Sequence, residues 1–314
     1  MLISIIIPVY NSESTIDSLV NNLTKVLDQN KIQIVLVNDG SEDESDNKCR
    51  RLYEKYPKIV EYLKLSKNFG EHNAVLAGLN YSKGDYAVIM DDDFQNPPEE
   101  VSKLVDQMIK NDFDVLYTYY DKKYHSFFRN LSSWFNNWCC NFILKKPKSL
   151  YLSSFKCISR FVVNEIKKYT GPYPYIDGLI LRTTRNIGQI KVRHESRKVG
   201  KSSYTLRKLI SLWLNMFMNF SNIPLRLSFF IGCVLSIFGV CLIVFFVFDM
   251  YIWHSESAWP PGWMSLIVCI VTFSGSQLIF LGLLGEYLGK LYLTENKTPQ
   301  FIVRELYGED STDK

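Results

Sequence analysis

The sequence has no Cys-x-x-Cys pair, and its seven cysteines (Cys49, Cys139, Cys140, Cys157, Cys233, Cys241 and Cys269) fall in no zinc or disulfide spacing. An odd count, with Cys233, Cys241 and Cys269 in greasy runs, reads as reduced thiols in a cytosolic compartment. No Gly-x-Gly-x-x-Gly occurs, so the dinucleotide fingerprint is missing. Gly200-Lys201-Ser202 ends like a Walker A loop, but Glu195 stands where its first glycine belongs. The four histidines, His72, His125, His194 and His254, show neither His-Glu-x-x-His spacing nor a hydrolase triad. Charge of one sign is scarce too: 36 basic against 32 acidic residues leaves +4, too little to indicate a nucleic-acid partner. Met1-Leu2-Ile3-Ser4-Ile5 lacks a basic leader and runs at once into Pro8, so no cleavable signal peptide is expected.

What the chain does have is apolar residues, 47% against 22% charged, which excludes a disordered polymer. Its 314 residues allow one large domain or two modest ones. The apolar residues are unevenly spread. Residues 227–248 and 264–285 are two runs of 22 without a charge. At 1.5 Å per residue each reaches about 33 Å, enough for the hydrocarbon core of a bilayer. Two transmembrane helices are therefore expected. The loop 249–263 between them carries Asp249 and Glu256 but no Lys or Arg, whereas Arg207, Lys208 and Arg226 precede the pair and Lys290, Lys297 and Arg304 follow it. Basic flanks stay in the cytoplasm, so both ends should be cytoplasmic and the loop external, with Trp253, Trp259 and Trp263 at an interface. Segments 123–148 and 206–226 combine Phe, Trp and Leu with basic ends and read as helices lying on the membrane surface.

The first 205 residues alternate short apolar runs with amphipathic ones. Strands are expected at 2–7, 32–37, 60–65, 86–90 and 114–119, with helices near 13–27, 43–55, 71–79 and 98–110. That order predicts an α/β domain with a mostly parallel sheet and helices on both faces. In such sheets ligands bind beyond the carboxyl ends of the strands. Four polar segments fall there: Pro8-Val9-Tyr10-Asn11, Asn38-Asp39-Gly40-Ser41, Ser66-Lys67-Asn68-Phe69-Gly70 and Asp91-Asp92-Asp93-Phe94-Gln95. Three aspartates ending an apolar strand need a counter-ion, and hard oxygen donors suit Mg²⁺ or Mn²⁺ together with substrate phosphates.

These segments, with Asn96-Pro97-Pro98-Glu99 after the aspartates, resemble family 2 glycosyltransferases of the GT-A fold. More narrowly, they resemble the polyprenyl-phosphate glycosyltransferases, the dolichol-phosphate mannose synthase group. Gly285-Glu286-Tyr287-Leu288-Gly289-Lys290 and Pro299-Gln300-Phe301-Ile302-Val303 after the two spans are similar to its bacterial branch, which loads glucose or aminoarabinose onto undecaprenyl phosphate. The resemblance implies roles by position. Pro8, Tyr10, Asn11, Glu13 and Asp39 would line the nucleotide base, with Lys67, Asp92 and Lys201 beside the nucleotide. Asp93 and Gln95 would hold the metal, and Asp91 would contact the metal–nucleotide unit. Arg129 with Ser133, and Arg197 with Ser202, would receive the phosphate of the lipid acceptor. Asp177 in Tyr175-Ile176-Asp177-Gly178 is a candidate base or positioning group.

The implied reaction is inverting transfer from a nucleotide-diphosphate sugar, UDP-glucose or another UDP-hexose foremost, to undecaprenyl phosphate at the bacterial inner membrane. It would serve cell-envelope glycans such as lipopolysaccharide. The resemblance also implies a homo-oligomer, up to a tetramer, with a 286–314 tail in the cytosol. Two alternatives stand beside it: a membrane scaffold or lipid-flipping protein, and a transferase with a non-lipid acceptor. A processive synthase would need Gln-x-x-Arg-Trp and more spans, and the sequence has neither.

Overall fold

The computed structural model describes residues 1–120, 150–193 and 262–308, with helical positions scattered between 228 and 248. Arg129, Ser133, Arg197, Lys201 and Ser202 lie outside the described residues, as do the segments 123–148 and 206–226. The chain forms two units, 1–213 with 297–314, and 214–296.

The first unit begins with β1 (Ile3–Val9), α1 (Ile16–Val26), β2 (Ile32–Asn38), α2 (Ser45–Lys55), β3 (Val60–Leu65), α3 (Glu71–Tyr81), β4 (Tyr86–Ile89), α4 (Glu99–Lys110) and β5 (Val115–Tyr119). These match the expected elements to within a few residues at each end. All seven residues of β2 are buried, as a strand covered on both faces requires. In α1 the buried Ile16, Leu19, Val20 and Leu23 recur at helical spacing, and in α4 Val101, Leu104, Val105 and Met108 do the same. Each such apolar side chain contributes about 1.5–3 kcal/mol by leaving water.

Five further elements follow: β6 (Lys156–Ser159), α5 (Arg160–Lys167), α6 (Ile176–Thr183), β7 (Ile187–Lys191) and, far along the chain, β8 (Val303–Tyr307). The eight strands make one sheet in the order β7-β5-β6-β4-β1-β2-β3-β8. β4, β1, β2 and β3 run parallel, β6 is antiparallel to both β4 and β5, and β8 is antiparallel to β3. Val9 lies opposite Asn38, and Asn38 opposite Lys64, so the carboxyl ends of β1, β2 and β3 open on one edge. Residues 303–307 of the C-terminal tail thus supply the last strand of this sheet.

The second unit contains α7 (Trp263–Glu295), 33 residues long, which continues ten residues past the expected end at 285. A Cβ on Gly232 would meet the Phe280 ring at 3.6 Å, and one on Gly239 the Phe273 ring at 2.8 Å. Gly232 thus lies beside Phe280 and Gly239 beside Phe273, and at Gly239 the ring leaves no room for a Cβ. Side chains 263–265, 267, 268, 271 and 272 of α7 lie outside those described. Counted over the described residues, no helix is long and apolar enough to cross a membrane.

Candidate active site

Two loops at the sheet edge are stitched together. The Asn11 amide donates to Ser41 Oγ (3.1 Å), and the Glu42 amide donates to Asn11 Oδ1 (2.9 Å). The Ser12 amide donates to Ser45 Oγ (2.8 Å), and the Glu44 amide to Glu13 Oε2 (3.1 Å). Asn11 itself sits at φ 53°, a left-handed conformation that asparagine tolerates. Of the residues expected around the base, Asn11 and Glu13 thus spend side-chain oxygens on the neighbouring loop. Tyr10 is 45% exposed beside them, an aromatic face open to a ligand.

Asp39 is buried, and its carboxylate accepts from the amides of Phe69 (2.7 Å) and Gly70 (2.8 Å). Burial raises its pKa, partly offset by those two amides. The next residue, Gly40, has φ 69°, and a Cβ there would sit 2.6 Å from the Asn68 nitrogen. Asp39 and Gly40 therefore press the loop carrying Lys67 against the end of β2. Gly70, at φ 94°, then turns that loop into α3.

β4 delivers the three aspartates to the same edge. Ser12 donates to Asp92, tying it to the β1 loop, and Ser154 Oγ donates to Asp91 Oδ2 (2.6 Å). Burial pushes the Asp91 carboxyl up to about 7, with the charges of Glu71 and Asp93 adding to it and Ser154 and Lys156 opposing. Burial likewise pushes Asp92 up to about 6, against the Ser12 hydrogen bond. Asp93 is 7% exposed and accepts from the Gln95 amide (3.1 Å). Between them Phe94 adopts φ 61°, costly for a bulky residue and a mark of a specialised turn.

Among the described residues no three His, Cys, Asp or Glu side chains converge on one point. The crowding of Glu71 and Asp93 around Asp91 leaves negative charge that a divalent cation would offset. Asp93 and Gln95, hard oxygen donors one left-handed residue apart, fit Mg²⁺ or Mn²⁺.

Five residues complete the neighbourhood. Lys156 on β6 and Asp177 in the first turn of α6 form a buried ion pair, and Tyr117 on β5 donates to the same Asp177 oxygen, Oδ1, at 2.8 Å. His72 lies edge-on to Tyr175, with ring centroids 5.0 Å apart, and burial pushes its pKa down to about 4, so it is neutral near pH 7. Asp177 was legible in the sequence. Lys156 and Tyr117 were not, since nothing local marks a lysine or a tyrosine inside a strand as a partner of a carboxylate 21 or 60 positions away.

The Glycosyl transferase family 2 description matches residues 4–166. The chain belongs to that family. This glycosyltransferase is 31% identical, over 98% of its length and 94% of the relative's, to the undecaprenyl-phosphate 4-deoxy-4-formamido-L-arabinose transferase of Serratia proteamaculans. It is 30% identical to an uncharacterized glycosyltransferase of Bacillus subtilis, over 97% and 94% of the two chains. Among solved structures it is similar to Mycobacterium tuberculosis glucosyl-3-phosphoglycerate synthase in complex with Mn²⁺, UDP and glucosyl-3-phosphoglycerate. That likeness has a TM-score of 0.51 at 16% identity, over 69% of this chain and 77% of the other, and speaks for the fold.

Proposed function

We propose that the enzyme transfers a sugar, with inversion, from a nucleotide-diphosphate sugar to undecaprenyl phosphate at the cytoplasmic face of a bacterial inner membrane. The observation that carries this reading is the extent of the likeness. The alignment to the undecaprenyl-phosphate transferase, at 31% identity, runs over 98% of the chain, and so over nearly all of what lies past residue 166 where the family description ends. The apolar runs and the returning tail are thus part of what the two proteins share.

The chemistry follows from the edge of the sheet. Tyr10 and the stitched loops around Asn11, Glu13 and Asp39 would seat the nucleotide, with Pro8 and Lys67 beside it. Asp93 and Gln95 would hold the divalent ion, with Asp91 next to it, and the ion's chemistry there is to offset charge on the departing diphosphate. An acceptor phosphate with a second pKa near 6 is largely a dianion at neutral pH and is already nucleophilic. The protein must align it and compensate its charge, a task for Arg129, Ser133, Arg197 and Ser202, with Lys201 beside the nucleotide. In-line attack then inverts the anomeric carbon.

Membrane anchoring belongs to the same reading. Phe230, Ile237, Leu278, Ile279 and Leu281 are each more than 60% exposed, a large apolar surface that lipid would cover. The acceptor phosphate cannot leave the headgroup plane without exposing its tail, at about 0.8 kcal/mol per CH₂. An enzyme held by two spans meets it there. The donor is a UDP sugar, a hexose or the formamido-arabinose carried in the relative's name, and the assembly is homo-oligomeric.

The test is a panel of radiolabelled nucleotide sugars incubated with membranes containing the enzyme and undecaprenyl phosphate. Label should pass into organic solvent for one donor and stop when EDTA is added. A panel giving no glycolipid from any donor overturns the reading.

A further inference from the structure

Both donors to Asp177 converge on one of its oxygens. Lys156 and Tyr117 reach Oδ1, and among the described residues no donor reaches Oδ2. We propose that Lys156 and Tyr117 are positioning residues that pin Asp177 so that its second oxygen accepts a hydrogen bond from a hydroxyl of the donor sugar.

The placement of the three residues supports this. Lys156 is paired with Ile89, the last residue of β4, and with Tyr117 of β5, so it lies two positions from Asp91 across the sheet. Its neighbour Ser154 holds Asp91 directly, at 2.6 Å. One short stretch, 154–156, therefore contacts both the carboxylate beside the proposed metal and the carboxylate of α6. The sugar of a nucleotide-diphosphate donor begins one bond beyond the diphosphate. A fixed carboxylate just past Asp91 is where its hydroxyls arrive.

The pinning is strong. Lys156 and Asp177 are only 4% and 8% exposed, so neither charge can turn to water instead. The Lys156 ammonium also lies 5.2 Å from the centroid of the Tyr117 ring, which closes off a second direction of movement. With Oδ1 held by a cation and a phenol, rotation of the carboxylate would break both bonds at once. A buried ion pair is weak evidence for stability, since well-packed apolar residues commonly do as well. Keeping one here makes sense where orientation is what matters.

This inference rests on the proposed transfer reaction, so the experiment first establishes glycolipid formation by the unaltered enzyme in membranes. It then compares Tyr117→Phe, Lys156→Met and Lys156→Arg, using UDP-glucose, or whichever UDP sugar labels best in the panel above, and UDP as a competitor. For Tyr117→Phe and Lys156→Met, kcat/KM for the donor sugar should fall at least tenfold, while the inhibition constant of UDP stays within twofold. Lys156→Arg, which retains the charge, should recover to within threefold of the unaltered enzyme. An unchanged kcat/KM in folded variants overturns the proposal. So does a UDP inhibition constant that weakens in parallel, because then the pair shapes the whole site rather than the sugar subsite. If Lys156→Met does not fold, Tyr117→Phe, which changes no volume beyond one hydroxyl, decides by the same two readings. An unaltered enzyme that makes no glycolipid counts against the transfer reading itself, and the inference falls with it.

Discussion

In the proposed reaction Asp93 and its neighbours would set the dependence on metal. Asp93→Ala removes an oxygen donor at the end of β4, where the chain turns through Phe94. Transfer should fall by about two orders of magnitude or more. The circular dichroism spectrum should stay that of the unaltered enzyme. Turnover within tenfold would remove Asp93 from the metal site. Gly40 carries a different kind of constraint. Its φ of 69° and the 2.6 Å approach of the Asn68 nitrogen leave no room for a methyl group. Gly40→Ala should destabilise the catalytic unit by roughly 1–3 kcal/mol, read as a lower thermal midpoint. The loop that it displaces carries Lys67, so donor KM should rise in the same variant.

Between elements, one contact that pH should test joins α2, β3 and β8. Asp46 accepts from Arg50 Nε (3.1 Å) and Tyr62 OH (2.6 Å) and pairs with Lys64. Arg50 reaches on to Glu305 (2.8 Å), and Tyr307 stacks on Tyr62 with centroids 5.6 Å apart. Partial burial alone would raise the Asp46 carboxyl. The hydrogen bonds from Arg50, Lys64 and Tyr62 outweigh it and hold the group down to about 2. A carboxyl depressed on folding adds stability that is present above its unfolded value, near 3.9, and is lost as pH falls through about 2. Asp46→Asn should therefore lower the thermal midpoint at pH 7, and the gap to the unaltered enzyme should close by about pH 2. A gap independent of pH would mean that Asp46 acts through packing rather than charge.

The elements also show how far the sequence could be read. β1 to β5 and α1 to α4 announce themselves through apolar runs separated by amphipathic ones, and the four strand-end segments follow from them. β6 and β7 do not. β6 is four residues long and begins with a lysine, and that lysine is buried only because Asp177 meets it. β8 reads Val-Arg-Glu-Leu-Tyr, and its charged residues suit an edge strand whose pattern resembles a loop. In the site, Asp39 looked like a ligand for the base. Its oxygens also hold two backbone amides, a use that only the folded loop reveals.

For the molecule as a whole, orientation is the testable quantity. With basic flanks on both sides of the two apolar runs, single cysteines placed in the 249–263 loop of a variant without its own reactive cysteines should be labelled only from outside the cell. Labelling from the cytoplasm would reverse the arrangement. Gln300 ties the returning tail to the segment before α6, donating to the carbonyls of Tyr169 and Gly171 (2.9 and 2.7 Å). The Ser66 amide donates to the Ile302 carbonyl (2.9 Å), one residue before Lys67. Residues 300–302 therefore touch two loops that border the site.

The position of β8 in the sheet has a consequence for biosynthesis. Arg50 and Tyr307 are 257 positions apart, so the ribosome spends on the order of ten to fifty seconds between making one and the other. Throughout that interval β3 waits as an open sticky border, inviting any extended polypeptide nearby. Nascent chains, and messages interrupted before residue 303, should be the species that chaperones seize.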